Sequence, residues 1–543
     1  MRIGLLTEGG YPYATGEARL WCDRLVRGLP QHEFELYALS RDADQERARV
    51  LLPDHVTQVR TAPLWAPADD GRTYSRRERR RFADCFKDLV RGICADEAGP
   101  FAEGLYGLAE LGREQGGLYA ALRSESAVRV LEAACRAPGA SRTVQAVQVV
   151  DLLEFVDELE RMLRPLSLDW YEEPGGLGAV DVCHAAAGGV AAIPGLLAKR
   201  FFGVPLLVTE YGVQLRSHYL EQRQGARPTV RALLAAFHLR LAGEIYAEAD
   251  LLTPGNAHAR RWQERCGAPR ERVRTVYPGM EADRFATVGE AADCGDPDTL
   301  VWVGRIEPAK DLVGLLHAFA EVRRAEPGTR LRIFATAVVP GYLADCRSLA
   351  AQLFPDEAAD AVTVGENPVT FEEIGGPDAA SSAEAYGAGR VVVLSSVIEG
   401  FPISLAEAMF CGRATVSTDV GAVCEVIGGT GLVVPPRNPR ALAEACLSLL
   451  RDPERAQRLG AAARARALEL FTVEQNVGAF RDIYLRLLAR GSATRPDGEV
   501  PFAHPAEARV PGHWTSPSWA VPAEGAGDAS AAVPGAPASE ATV

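Results

Sequence analysis

At 543 residues the chain exceeds what a single hydrophobic core serves, and its 47% apolar content marks it as globular, so two large domains are expected. With 58 basic against 72 acidic residues the formal charge is -14, which argues against nucleic acid as the main partner, because a phosphate backbone demands a positive footprint. Eleven cysteines, odd in number and without a Cys-x-x-Cys pair, fit reduced thiols better than a disulfide framework or a zinc site, so no metal is implied.

Met1 to Leu6 runs directly into strand-like sequence without a leader's apolar stretch, and no run approaches the roughly 20 apolar residues of a membrane span, so a cytoplasmic location is expected. Ile3 to Thr7 reads as a parallel strand. The turn-rich loop Glu8 to Gly16 comes next, then a helix with Ala18, Trp21, Leu25 and Leu29 at helical spacing. This is a Rossmann-type opening, in which a glycine loop lets a diphosphate approach closely. From about 41 to 170 the chain is helix-rich and arginine-rich. Arg76-Arg77-Glu78-Arg79-Arg80-Arg81 is its most basic run and reads as a solvated helix face, with attraction to an anionic acceptor or a membrane surface left open. Strands resume at Asp181 to His184 and at Val204 to Tyr211. A lone histidine at a strand end, as His184 is, reads first as a satisfied structural residue. The Gly, Asp and Ala-rich segment Val288 to Asp298 reads as a linker.

A second domain opens with the buried strand Leu300 to Val303 and the turn Gly304-Arg305-Ile306-Glu307-Pro308-Ala309-Lys310-Asp311. There a guanidinium and an ammonium can grip a diphosphate from two sides. Strands are expected at Leu331 to Phe334, Ala361 to Val364 and Val391 to Leu394. Directly after the last comes Ser396-Val397-Ile398-Glu399-Gly400-Phe401-Pro402-Ile403-Ser404-Leu405-Ala406-Glu407, a loop opening a helix. Amides at a helix N-terminus suit phosphate, whereas the carboxylates of Glu399 and Glu407 suit hydroxyls. A ligand with hydroxyls on both sides of a diphosphate, a nucleotide sugar, satisfies both. Helices at Pro439 to Leu450, Pro453 to Leu468 and Phe471 to Leu488 complete the body. From Gly491 the composition turns to Pro, Ala, Gly, Ser and Thr, so disorder is expected there.

The stretch from Ser396, with Thr418-Asp419-Val420-Gly421 and Gly431-Leu432-Val433-Val434-Pro435-Pro436 beyond it, resembles the E-x7-E signature of the retaining glycosyltransferases of the GT-B fold, family 4. The opening Glu8-Gly9-Gly10-Tyr11-Pro12-Tyr13 and Ala62-Pro63-Leu64-Trp65 resemble the subgroup that includes the Pel exopolysaccharide glycosyltransferase. Val276-Tyr277-Pro278-Gly279-Met280-Glu281 is similar to the family's interdomain landmark, with tyrosine before its proline and no asparagine after it. The resemblance implies an α/β chain of two Rossmann-like domains facing a cleft. An acceptor domain would span 1-287 with its insertion at about 41-170, and a nucleotide-sugar domain 299-470. A helix 471-490 would return to the first domain, and a disordered tail would span 491-543.

By the same resemblance Glu399 contacts the donor sugar and Glu407 the ribose. Gly400, Phe401, Pro402, Ile403 and Ser404 supply the diphosphate's amide cradle, with Gly16 on the other side, and Arg305 and Lys310 hold the diphosphate. Two positions depart from the pattern. Gly16-Glu17-Ala18 stands where the subgroup has two adjacent glycines and a valine. Tyr211 stands where the family has a histidine at the donor sugar; it can donate a hydrogen bond, but with a pKa near 10 it cannot shuttle protons at neutral pH. The implied activity is metal-independent transfer, with retention, from a UDP-sugar to a glycan or other hydroxyl acceptor in exopolysaccharide or cell-surface glycan synthesis. The nucleotide sugar is a co-substrate and no cofactor is expected. Neither is a transmembrane segment, while peripheral membrane contact stays open. Other readings are a non-catalytic nucleotide-sugar-binding protein, motivated by Glu17 and Tyr211, and an epimerase or phosphorylase on the same fold.

Overall fold

The computed structural model describes residues 1-492 apart from 14-16, 48, 67-68, 173-174, 221-226, 292, 294, 355-366 and 377-378. The expected tail, the strand at Ala361 and the predicted ligand Gly16 therefore lie outside the described residues. Met1–Leu488 form one compact unit.

Among the described residues the strands form two parallel sheets of six. The first has the order β3-β2-β1-β4-β5-β6, built from β1 (Arg2–Glu8), β2 (Glu33–Ser40), β3 (Val56–Pro63), β4 (Val182–Ala185), β5 (Leu206–Glu210) and β6 (Leu251–Pro254). The second has the order β12-β11-β10-β7-β8-β9. Its members are β7 (Asp296–Ile306), β8 (Arg330–Val338), β9 (Val369–Glu373), β10 (Gly389–Leu394), β11 (Ala414–Thr418) and β12 (Leu432–Val434). Central strands such as β4 and β5 are buried along their whole length, as parallel strands with both faces covered must be. Two expectations are corrected here. β3 belongs to the first sheet although it falls inside the stretch assigned to the helical insertion. As an edge strand it is only half-buried and carries Thr57, Gln58, Arg60 and Thr61, so it lacks the apolar run of a central strand. β7 begins at Asp296, inside the segment read as a linker, where Asp296 pairs with Gly389.

Helices between β3 and β4 form the insertion and share a core with one face of the first sheet, centred on Phe86, Phe101, Phe155 and Phe237. Ser75 and Glu78 make a reciprocal capping box at the start of helix Arg76–Cys94, which fixes where the arginine run becomes helical. Arg81 of that run pairs with Glu110 and Glu114 on the next helix, while Arg76, Arg77, Arg79 and Arg80 are all exposed. The run is a solvated helix face.

The other face of the first sheet is covered from the far end of the chain. Phe480, Ile483, Tyr484 and Leu487 of helix Val473–Ser492 pack against Ile3, Leu5, Trp21 and Leu25. Gly28 permits that approach, because a Cβ there would lie 2.6 Å from a methyl of Val477. Under this helix sits His184, fully buried. Its Nδ1 is 2.7 Å from Tyr484 Oη, its Nε2 2.7 Å from Thr209 Oγ1, and Thr209 Oγ1 2.6 Å from Thr253 Oγ1. Since Thr253 donates to Val208 O, Thr209 donates to Thr253, Nε2–H donates to Thr209, and Nδ1 accepts from Tyr484. Burial holds the imidazole pKa down at about 3, so it is neutral. His184 is structural.

Candidate active site

In the second sheet β7 and β10 are neighbours from which the order runs away in opposite directions, so the crevice beyond their carboxyl ends is the reversal point at which open α/β sheets bind ligands. The two loops singled out in the sequence leave the sheet at that point. The one after β7 makes a helical turn Pro308–Lys310 and then places Asp311 at φ 47°, a left-handed conformation that Asp tolerates better than most residues. Asp311 then caps helix Leu312–Ala325 by accepting from Gly314 N at 3.1 Å. The loop after β10 docks on this turn: Val397 N donates to Ala309 O at 2.9 Å and Ser395 Oγ to Lys310 O at 2.7 Å. From β11, Thr418 Oγ1 donates to Ser396 O at 2.6 Å. Gly421, at φ 59°, brings its backbone against the same loop, where a Cβ would lie 2.5 Å from Glu399 O.

The structure brings Lys310 and Glu399 together, 89 residues apart in sequence: Lys310 Nζ is ion-paired with Glu399 Oε1, which also accepts from Ser396 Oγ at 2.7 Å. The Glu399 side chain is 9% exposed and that of Lys310 18%, so the pair is largely withdrawn from water. A buried carboxylate needs such partners. Arg305 is different: its side chain is 55% exposed and its guanidinium 3.7 Å from Glu307, a loose contact that a stronger anion can replace. Gly400 O accepts from Ala422 N at 3.1 Å, and the Phe401 ring packs against Tyr277 and Phe471. Pro402 precedes helix Ile403–Phe410 and supplies no side-chain cap, so the first-turn amides of Ile403 and Ser404 point at the crevice end without one. Glu407, one turn further, accepts from Tyr386 Oη at 2.9 Å.

Tyr211, the residue expected at the sugar, is held by the returning helix. Its hydroxyl accepts from Asn476 Nδ2 at 2.8 Å, its ring stands edge-on to Trp21 at 5.0 Å, and burial pushes its phenol well up. The hydroxyl is taken by the returning helix. The first domain reaches the donor loop instead through Arg216, in helix Gln214–Leu220 after β5, whose Nη2 donates to Glu399 O at 3.3 Å. Sequence reasoning passed over Arg216, Tyr386 and Ser396. Only Ser396 carried a signal, its place beside the paired glutamates. A second crossing contact is made by Glu425, which accepts from Ala257 N at 2.7 Å and Tyr277 Oη at 2.9 Å. Its carboxylate thus sits at the N-terminus of helix Ala257–Arg265, where the helix dipole favours negative charge.

Residues 297–452 match the family described as glycosyl transferases group 1, and residues 1–271 match a domain of unknown function (DUF3492). The D-inositol 3-phosphate glycosyltransferase of Rhodococcus erythropolis is 30% identical over 323 residues, 58% of this chain and 68% of that protein. Its counterpart in Thermobispora bispora is 28% identical over 344 residues, 60% of this chain and 74% of the relative. Among solved structures, the sucrose-phosphate synthase of Thermosynechococcus elongatus superposes with a TM-score of 0.54 at 19% identity, over 90% of this chain and 99% of that one. Anabaena Alr3699/HepE in complex with UDP and glucose superposes with a TM-score of 0.52 at 15% identity, over 90% of this chain and 100% of that one.

Proposed function

The chain belongs to the group 1 glycosyltransferases, and we propose that it moves a sugar from a UDP-sugar, with retention, to a hydroxyl of a glycan acceptor in the synthesis of an exopolysaccharide or cell-surface glycan. The observation that carries the donor assignment is the docking of the Arg305 to Lys310 turn on the Glu399 loop at the reversal point between β7 and β10. A diphosphate entering there meets the exposed Arg305 guanidinium, the Lys310 ammonium and the uncapped amides of Ile403 and Ser404. In this reading Glu399 takes the hydroxyls of the sugar and Glu407 those of the ribose.

In this reading the bond between the anomeric carbon and the diphosphate oxygen breaks, and a bond from that carbon to the acceptor oxygen forms on the same face. The acceptor's proton passes to the departing diphosphate oxygen. The protein's contribution is electrostatic: positive charge and amide dipoles preorganised where negative charge develops. A binding protein without turnover is the alternative reading. Following UDP-sugar consumption and the anomeric configuration of the product by NMR separates the two. An α-linked product, or α-sugar released by slow hydrolysis, is expected. UDP-sugar that binds and is never consumed refutes catalysis, and a β-product refutes retention.

A further inference from the structure

The first sheet has a reversal point of its own, between β1 and β4, and a cavity of about 160 Å3 opens beside it. Ligand pockets for whole drug-sized molecules run to about 300–1,000 Å3, so this one admits a single terminal unit of a larger ligand. Glu8, the last residue of β1, stands at its edge, where desolvation raises its carboxyl pKa against the lowering effect of a hydrogen bond from the Ala191 backbone. Gln214 and His218, four residues apart on one face of helix Gln214–Leu220, line a second side. The insertion closes a third with Trp65, just after β3, and with Glu158 and Arg161 of helix Val149–Leu163.

That third wall is built rigidly. Arg164, 4% exposed, is bidentate to the equally buried Glu160 and donates to Pro63 O at 3.1 Å, which ties the end of the insertion's last helix to the end of β3. Arg161 is fully engaged: it donates to Asp157 at 2.7 Å and Glu158 at 3.2 Å, and its guanidinium lies 4.7 Å from the centre of the Trp65 ring. Helix Gln214–Leu220 also bears Arg216, on the side away from Gln214 and His218, where it contacts the Glu399 loop. One short helix therefore touches both the cavity and the loop assigned to the donor.

We propose that this cavity is the acceptor site and that it takes the uncharged, hydroxyl-bearing end of a saccharide while excluding a phosphorylated one; the assignment rests on the transferase reading above. A phosphate needs cations with donors to spare. Among the described lining residues the one guanidinium is already held by two carboxylates, and two carboxylates, Glu8 and Glu158, line the space. Hydroxyls both donate and accept, so they suit carboxylates, an amide and imidazoles together, whereas a phosphate at neutral pH only accepts and brings nearly two negative charges.

Saturation-transfer NMR on the full chain tests this with matched pairs: glucose against glucose 6-phosphate, and N-acetylglucosamine against its 6-phosphate. At least one neutral member is expected to receive saturation and its phosphorylated partner at least ten-fold less. Glu8→Lys is expected to narrow or reverse that ratio. Gln214→Ala, which alters no charge, is expected to weaken the neutral sugar several-fold without admitting the phosphate. Binding of the phosphorylated members in preference, binding of neither, or neutral-sugar binding indifferent to both substitutions overturns the proposal. UDP titrated into the parent protein separates the two readings: UDP binding without saccharide binding removes the cavity assignment alone, and absence of both removes the transferase reading as well.

Discussion

His184 provides a prediction that can be worked through from the structure. The folded state holds its imidazole neutral with a pKa of about 3, against an ordinary value of 6.5, because the ring is wholly buried. Protonating Nδ1 would also set an N–H against the Tyr484 hydroxyl that now donates to it. The folded pKa is depressed, and for a base that means the unfolded chain binds the extra proton first. The stabilisation from neutral His184 is therefore complete above the unfolded value of 6.5 and is lost as pH falls from there towards 3. At about 1.36 kcal/mol per pH unit for one proton, going from pH 7 to pH 5 costs about 2 kcal/mol through this residue alone. Urea unfolding followed by tryptophan fluorescence reads it locally, because the Trp21 ring is 5.8 Å from the imidazole. The parent should lose about 2 kcal/mol more between pH 7 and pH 5 than His184→Gln, which cannot titrate. Equal losses in the two proteins, or a His184 ring-proton resonance that titrates near its ordinary pH of 6.5, would refute the reasoning and reopen a catalytic role.

Replacing Arg305 and Lys310 together by Ala should raise the Kd for UDP by at least ten-fold, since each charge-assisted contact is worth roughly 1.5–3 kcal/mol. An unchanged Kd by calorimetry removes both from the site. Tyr211→Phe should lower the unfolding free energy by about 0.5–1.5 kcal/mol through the lost Asn476 bond, and leave donor consumption as in the parent. A fall in turnover at unchanged stability would restore Tyr211 to the chemistry. Gly421→Ala should cost about 1–3 kcal/mol and weaken UDP binding, because its φ of 59° and a Cβ 2.5 Å from Glu399 O force the donor loop to move. Parent-like UDP affinity in that variant would show the loop to be more pliant than its contacts indicate.

Much of the second domain was legible in the residues. Leu300 to Val303 and Val391 to Leu394 are apolar runs too short for helices, which is how strands buried on both faces read, and both are central in the second sheet. The pairing of a basic turn with an acidic helix start was likewise visible as composition at the ends of two such strands. Edges and long-range partners were not. β3 carries the polar residues an edge strand allows and so reads like the insertion around it. Tyr211 was expected at the sugar, whereas its hydroxyl is bonded to Asn476, 265 positions away, and no local pattern encodes that partner. Arg216 is one arginine among many until β5 and the loop after β10 are brought face to face. Periodicity reports which face is buried, whereas side-chain direction depends on what the rest of the chain brings there.

The last helix has a consequence for how the chain must be made. Ile3, Leu5, Trp21 and Leu25 are synthesised more than 450 residues before the residues that cover them, Phe480, Ile483, Tyr484 and Leu487. After β6 is complete, roughly 230 further residues must be added before Tyr484 exists, which at about 5–20 residues per second is on the order of 10 to 50 s. Throughout that interval the face opposite the insertion has the apolar side chains of helix Glu17–Gly28 but lacks those of the last helix, and His184 lacks the hydroxyl that satisfies its Nδ1. The second domain, whose strands all lie between residues 296 and 434, waits for nothing so distant. The domain of the first sheet is therefore completed only after every strand of the second domain has been made.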